Sequence, residues 1–210
     1  MDYTYHYKSP LGGITLSSNG TELTGLWFDG QKYFGATLPG EYEEKSLPIF
    51  EEAACWLDIY FSGKAPDFTP QMLIKTTPFR QAVWEVLLTI PYGRTMTYGE
   101  IADRIAKQEG LSKMSAQAVG GAVGHNPISL IIPCHRVVGT KGSLTGYADV
   151  YKRQICIFLK DISLPIWQSR KTSERMIFLF RLGNIPHGEE FHCIAHGERY
   201  LFLLILLMLM

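Results

Sequence analysis

The spacing of apolar residues changes at Thr77-Pro78, and that change requires a fold made of two different kinds of unit. Ahead of it run Tyr3-Thr-Tyr-His-Tyr-Lys, Gly13-Ile-Thr-Leu-Ser and Leu23-Thr-Gly-Leu-Trp-Phe, separated by the turn dipeptides Asn19-Gly20 and Asp29-Gly30. A period of two with such turns predicts a small antiparallel sheet. After Pro48 the apolar residues Ile49, Phe50, Ala53, Trp56, Leu57 and Tyr60 take helical spacing up to Ser62-Gly63, so one helix is expected to cover that sheet. Residues 64–77, with Pro66 and Pro70, fit a linker or a short extended strand. Strand spacing at Tyr5, Tyr7, Trp27 and Phe28 favours core or sheet-surface packing over a base-stacking platform.

Past Pro78 the pattern becomes short helices with short connections, as in a helix-turn-helix unit. Phe79, Ala82, Val83, Val86, Leu87 and Ile90 mark one helix that stops at Pro91-Tyr-Gly. Thr97 caps a second, with Glu100 completing a capping box and Ile101, Ala102 and Ile105 facing inward. Ser115 caps a third, Ala116 to Gly124, which ends at His125-Asn126-Pro127. That third helix is rich in Gly and Ala although each interior glycine costs about 1 kcal/mol relative to alanine. Either neighbouring helices pack closely on it, or its smooth face presses into a nucleic-acid groove.

Composition narrows the function classes. With 210 residues, 46% apolar and 19% charged, the chain excludes disorder, collagen and a coiled coil. Residues 1–75 hold ten acids and five bases (−5), residues 76–148 four acids and seven bases (+3), and residues 149–210 six acids and eight bases (+2). The middle segment is therefore the expected polyanion partner, although +3 is modest for binding by charge alone. Cys55, Cys134, Cys156 and Cys193 are too scattered for a disulfide framework and lack Cys-x-x-Cys spacing, which points to a reducing, cytoplasmic setting. Met1 to Pro10 has no apolar signal core and Leu201 to Met210 is half the length of a membrane span, so no membrane association is expected. His187, His192, Cys193 and His196 have no standard zinc spacing, Gly12-Gly13 and Gly120-Gly121 lack a phosphate-loop context, and neither metal nor cofactor is expected. The acids Glu41, Glu43, Glu44, Glu51 and Glu52 read as a solvated helix face.

Chemistry concentrates in Ile131-Ile-Pro-Cys-His-Arg-Val-Val-Gly, where an apolar, strand-like stretch and a proline precede a thiol and an imidazole. The thiolate is the nucleophilic form of cysteine, so a useful one needs a base beside it. His135 can supply that base, directly or through a water, and Arg136 adds positive potential. By itself the dipeptide also fits a buried structural cysteine.

Its surroundings resemble the methylated-DNA–protein-cysteine methyltransferases, also called O6-alkylguanine-DNA alkyltransferases. The resemblance runs through Phe79-Arg-Gln-Ala-Val-Trp, Ile90-Pro-Tyr-Gly-Arg-Thr-Met-Thr-Tyr-Gly-Glu-Ile-Ala, Ala118-Val-Gly-Gly-Ala-Val-Gly-His-Asn-Pro, the Pro-Cys-His-Arg core and Gly142-Ser-Leu-Thr-Gly-Tyr-Ala. It implies an α+β chain: an N-terminal ribonuclease-H-like α/β domain at residues 1–75, then a helical, winged-helix-like DNA-binding and catalytic domain at residues 76–148. It also implies a monomer that binds duplex DNA carrying alkylated bases, flips O6-alkylguanine out of the stack and moves the alkyl group irreversibly to its own cysteine, with O4-alkylthymine left open as a second substrate.

Carried over residue by residue, the resemblance makes Cys134 the nucleophile and His135 the acceptor of its proton. Tyr98 would crowd the 3′ phosphate and donate to the base's N3, and Asn126 would fix the turn between recognition helix and site. The carbonyls of Cys134 and Val137 and the amides around Tyr147 and Ala148 would meet the flipped guanine, and Ala118 and Gly121 would face the groove. Gln117 stands where the family has an intercalating arginine, which implies weaker DNA affinity. After Ala148 the family continues Gly-Gly into a helix ending in glutamate, whereas this chain runs Asp-Val-Tyr-Lys-Arg-Gln. Residues 149–210 are accordingly expected to be an atypical tail, foreign to the rest, with Asp161 at the distance of the family's histidine-orienting glutamate. The competing expectations are a lesion-binding module that has lost catalysis with that helix and, less well supported, a cysteine hydrolase.

Overall fold

The computed structural model describes residues 1–143 in full and, beyond them, the backbone of three strands. Residues 1–143 belong to a compact unit, Met1–Ile162, and the three strands to a second, Ser163–Met210. In the first unit, β1 (Asp2–Ser9), β2 (Gly12–Ser18), β3 (Leu23–Phe28) and β4 (Tyr42–Glu44) form one sheet in the order β3-β2-β1-β4. The first three strands are antiparallel and β4 joins β1 in parallel. At the β2–β3 turn the Asn19 side-chain oxygen accepts from the amides of Thr21 and Glu22, an Asx-type turn that leaves Gly20 at φ +114°. Gly25 is required on β3, because a Cβ there would fall inside the Trp27 ring.

Helix α1 (Pro48–Phe61) starts with proline at its first turn, where no amide partner is lost, and buries Phe50, Ala53, Trp56, Leu57 and Tyr60. With Ile14, Leu16 and Leu26 of the sheet these residues join one apolar core, and Tyr5 stacks on Phe50. Glu43 and Glu44 lie on the exposed edge strand β4 rather than on a helix. Period-two spacing over three residues is too short to register in the sequence.

Helices α2 (Pro78–Leu88), α3 (Tyr98–Gln108) and α4 (Ala116–Gly124) pack on one another. Both expected caps form, Ser115 accepting from Ala118 and Thr97 making the reciprocal box with Glu100, and Thr77 caps α2 by accepting from Arg80. Beside them, β5 (Met96–Thr97) pairs in parallel with β6 (Val137–Val138). The mixed α+β architecture matches the expected class.

Two connections bind the sheet to the helical part. The amide of Leu23 donates to Gln71 and that of Leu73 to Leu23, so the segment before α2 covers the outer edge of β3 as a short extended piece. Further along the same edge, Leu26 donates to Pro127 at 2.8 Å and Ser129 to Leu26 at 2.9 Å. An unpaired strand edge is thereby closed by the stretch that leads to Cys134.

In the second unit β7 (Arg170–Thr172), β8 (Arg175–Leu179) and β9 (His192–Ala195) form an antiparallel sheet in that order. Among the described residues no helix is long and apolar enough to cross a membrane.

Candidate active site

Cys134 opens a short 3-10 turn, Cys134–Arg136, immediately after Pro133. Pro133 sits at φ −80°, ψ 60°, and the Cys134 amide donates to Ile132 at 2.8 Å, which is an inverse γ-turn. Three residues earlier the Ile131 amide donates to Ser129 across Leu130, whose φ of +69° lies in the left-handed region that branched residues avoid. The expected strand-like approach to the cysteine is thus two consecutive tight turns. Backbone partners a strand would need are replaced by a side chain, that of Asn126.

Asn126 is buried and makes three bonds: its Nδ2 donates to the carbonyls of Ile128 and Ile132, and its Oδ1 accepts from the Ile128 amide. Helix α4 is fixed from the other side, where the Trp84 indole of α2 donates to the Ala122 carbonyl at 3.0 Å. Cys134 and His135 are each 2% exposed. Among the described residues neither Cys134 nor the exposed Cys55 is in a disulfide. The Val137 amide donates to the Cys134 carbonyl, whose second lone pair lies outside that bond, and the Val137 side chain is in the core.

Arg136, expected to add positive potential near the thiol, is only 8% exposed. Its Nη1 donates to the Ile90 carbonyl at 2.8 Å, and its guanidinium lies 5.5 Å from the centre of the Tyr92 ring. Arginine suits such a place because its planar, weakly hydrated cation stacks and donates together. Its charge therefore stays beside Cys134 and ties the turn to the end of α2, rather than projecting outward.

Tyr98 begins α3, where the β5–β6 pairing brings that helix start alongside Val137-Val138. Its hydroxyl is buried without a hydrogen-bond partner among the described residues. Buried hydroxyls are normally paired, so this is an atom waiting for an acceptor. Its ring lies 3.8 Å from where a Cβ on Gly120 of α4 would stand.

Gln117, Ala118 and Gly121 are exposed on one face of α4. A Cβ at Gly121 or Gly124 would meet nothing within 4 Å, so internal packing does not account for these glycines. At the end of the helix His125 bonds the Gly121 carbonyl through Nδ1 at 2.7 Å and stacks on Tyr33 at 4.1 Å. Tyr33 comes from the loop after β3, and Gln31 of the same loop bonds Ser129. Neither contact is visible in the sequence. Tyr147, Ala148 and Asp161 lie outside the described residues, as do His187 and His196. Among the described residues no group of three or more His, Cys, Asp or Glu is gathered as a metal set.

Comparison with known proteins matches two family models. Residues 1–73 match the ribonuclease-like domain of 6-O-methylguanine DNA methyltransferase, and residues 78–159 match its DNA binding domain, a match that runs past Ala148. A methylated-DNA–protein-cysteine methyltransferase of Mycobacterium bovis is 41% identical over 177 residues, covering 82% of this chain and 98% of the relative. One from Methanosarcina barkeri is 44% identical over 143 residues, 68% of this chain and 85% of the relative. Among solved structures, the Mycobacterium tuberculosis O6-methylguanine methyltransferase superposes with a TM-score of 0.66 at 38% identity, covering 79% of this chain and 96% of that one. The M. tuberculosis protein solved in complex with DNA gives 0.64 at 39% identity, over 74% and 90%. With two domain models in the right order and relatives matched over most of their length, the chain belongs to the 6-O-methylguanine DNA methyltransferase family.

Proposed function

We propose that this protein repairs duplex DNA by moving the alkyl group of O6-alkylguanine irreversibly to Cys134. The observation that carries the proposal is the Pro133-Cys134-His135 turn, buried and tied to helix α4 by Asn126. A DNA-bound relative and a matched DNA-binding domain support the partner.

In the transfer, Cys134 Sγ attacks the alkyl carbon from the side opposite O6. The S–C bond forms as the C–O6 bond breaks, and the electron pair passes to the guanine oxygen and ring. The thiol proton goes to His135, directly or through a water, and balances the proton the released guanine takes up. Tyr98, with its hydroxyl unsatisfied, donates to the base's N3 and helps it leave as a neutral species. The exposed face of α4 lies along the groove with Gln117 at the vacated position, and the Cys134 and Val137 carbonyls meet the edge of the flipped base. No step returns the alkyl group, so each monomer acts once. Asp161, Tyr147 and Ala148 keep the roles that family resemblance gives them, orienting His135 and binding the base.

The relatives' shared cysteine methyltransferase activity disfavours a purely lesion-binding module. Incubation with duplex DNA holding one O6-methylguanine tests the proposal. Stoichiometric methylation of the Cys134 peptide supports it, and unmodified Cys134 in folded, DNA-bound protein rejects it.

A further inference from the structure

His135 is held from the sheet-bearing half of the chain. The phenol oxygen of Tyr60 lies 2.9 Å from His135 Nε2, across 75 residues of sequence, and Tyr60 is 1% exposed. The position of this oxygen is set by rigid neighbours. Its ring lies parallel to Trp56 at 5.2 Å and edge-on to Tyr92 at 5.9 Å, Phe61 at 5.7 Å and the His135 ring at 6.0 Å. The last turn of α1 is also fastened to β1, because the Tyr7 phenol donates to Asp58 at 2.6 Å.

From this geometry we infer that Tyr60 is a positioning residue for alkyl transfer, holding His135 at Nε2 and stabilising the imidazolium that forms when His135 takes the Cys134 proton. The inference rests on the assignment of Cys134 and His135 made above. A phenol both donates and accepts, so the contact survives the change in charge. Against neutral imidazole it satisfies one ring nitrogen. Against imidazolium both ring nitrogens are donors, and the phenol oxygen accepts from Nε2–H whichever nitrogen received the proton. Burial alone disfavours the charged ring. A charge-assisted bond in a water-poor site opposes that penalty and raises the share of thiolate near neutral pH.

The test is the pH dependence of single-turnover methyl transfer by the full chain, comparing the parent, Tyr60→Phe and Tyr7→Phe. Tyr60→Phe is expected to move the midpoint up by about one pH unit, which slows transfer about tenfold below it, while the alkaline plateau stays at the parent value. Tyr7→Phe removes a different bond of the same helix turn and is expected to keep the parent profile. A Tyr60→Phe profile that superimposes on the parent overturns the inference, as does a uniform loss at every pH, which marks damaged packing. Ring ¹⁵N shifts of His135 in the parent chain need no variant: a hydrogen-bonded Nε2 in both charge states supports the inference, and a ring titrating like an exposed histidine overturns it. Absence of transfer by the parent itself would instead refute the assignment of Cys134, leaving the ring shifts to decide the role of Tyr60.

Discussion

Asn126 Nδ2 and the Ile132 carbonyl are joined by a 2.8 Å hydrogen bond that closes the path from the end of α4 to the turn bearing Cys134. The two stand six positions apart and bracket the i→i+2 turn through left-handed Leu130, and a second such turn, through Pro133, follows at once and ends on Cys134. One amide side chain thus replaces a run of backbone pairing. Helix and cysteine are held as one piece, so a helix seated on DNA also sets where the thiol stands.

Replacing Asn126 by alanine therefore orphans the buried Ile128 amide and removes one of two donors from each of the buried Ile128 and Ile132 carbonyls. A loss of about 2–4 kcal/mol is expected in chemical denaturation. Asn126→Asp should cost at least as much, because a carboxylate would face the Ile128 and Ile132 carbonyls. A loss below about 0.5 kcal/mol, the range of ordinary surface changes, would contradict the role.

Gly121 separates stability from binding. Its surroundings leave room for a Cβ, and alanine favours helix by about 1 kcal/mol, so Gly121→Ala should raise the melting temperature slightly. Gly121→Leu should fold as well as the parent yet, on the proposed seating of α4 in the groove, bind duplex DNA about tenfold more weakly or worse. Anisotropy titration at one fixed salt concentration checks this, and unchanged affinity for Gly121→Leu would remove α4 from the interface.

The capping box makes part of the stability of α3 depend on pH. The Thr97 backbone amide, and then its hydroxyl, hold the Glu100 carboxyl below the usual carboxylate range. A lowered folded-state value means that this contribution is complete above the unfolded carboxylate's titration and disappears as pH falls through the depressed value. Unfolding measured between about pH 5 and pH 3 should lose this increment in the parent and not in Glu100→Gln. Thr97→Ala should cost about 1 kcal/mol near neutrality. Equal acid sensitivity in parent and Glu100→Gln would contradict the box.

Local signals in the sequence suffice for the longer strands and for the helices, though not for the three-residue β4. Alternation from Tyr3 and the Asn19-Gly20 turn marked the sheet, and Thr97 with Glu100 marked the start of α3, because these depend on neighbours within a few residues. The rest depends on partners far along the chain. Tyr60 read only as an inward residue of a helix, and nothing within α1 signals that its hydroxyl meets an imidazole 75 residues away. Arg136 carries its positive potential beside the thiol as expected, but its contacts with Ile90 and Tyr92 leave no local mark in the sequence. The paired turns before Cys134 were hidden by an apolar run that suits a buried strand equally well.

The most direct test of the central claim is the intact mass of the full chain and of Cys134→Ala after incubation with an equimolar duplex containing O6-methylguanine. The account predicts a gain of about 14 Da, the net CH₂ gained when a methyl group replaces the thiol hydrogen, in every parent molecule and none in the variant, as expected for a single-use thiolate nucleophile. Parent protein that binds the duplex and keeps its original mass, or a variant that gains the same mass, would contradict it.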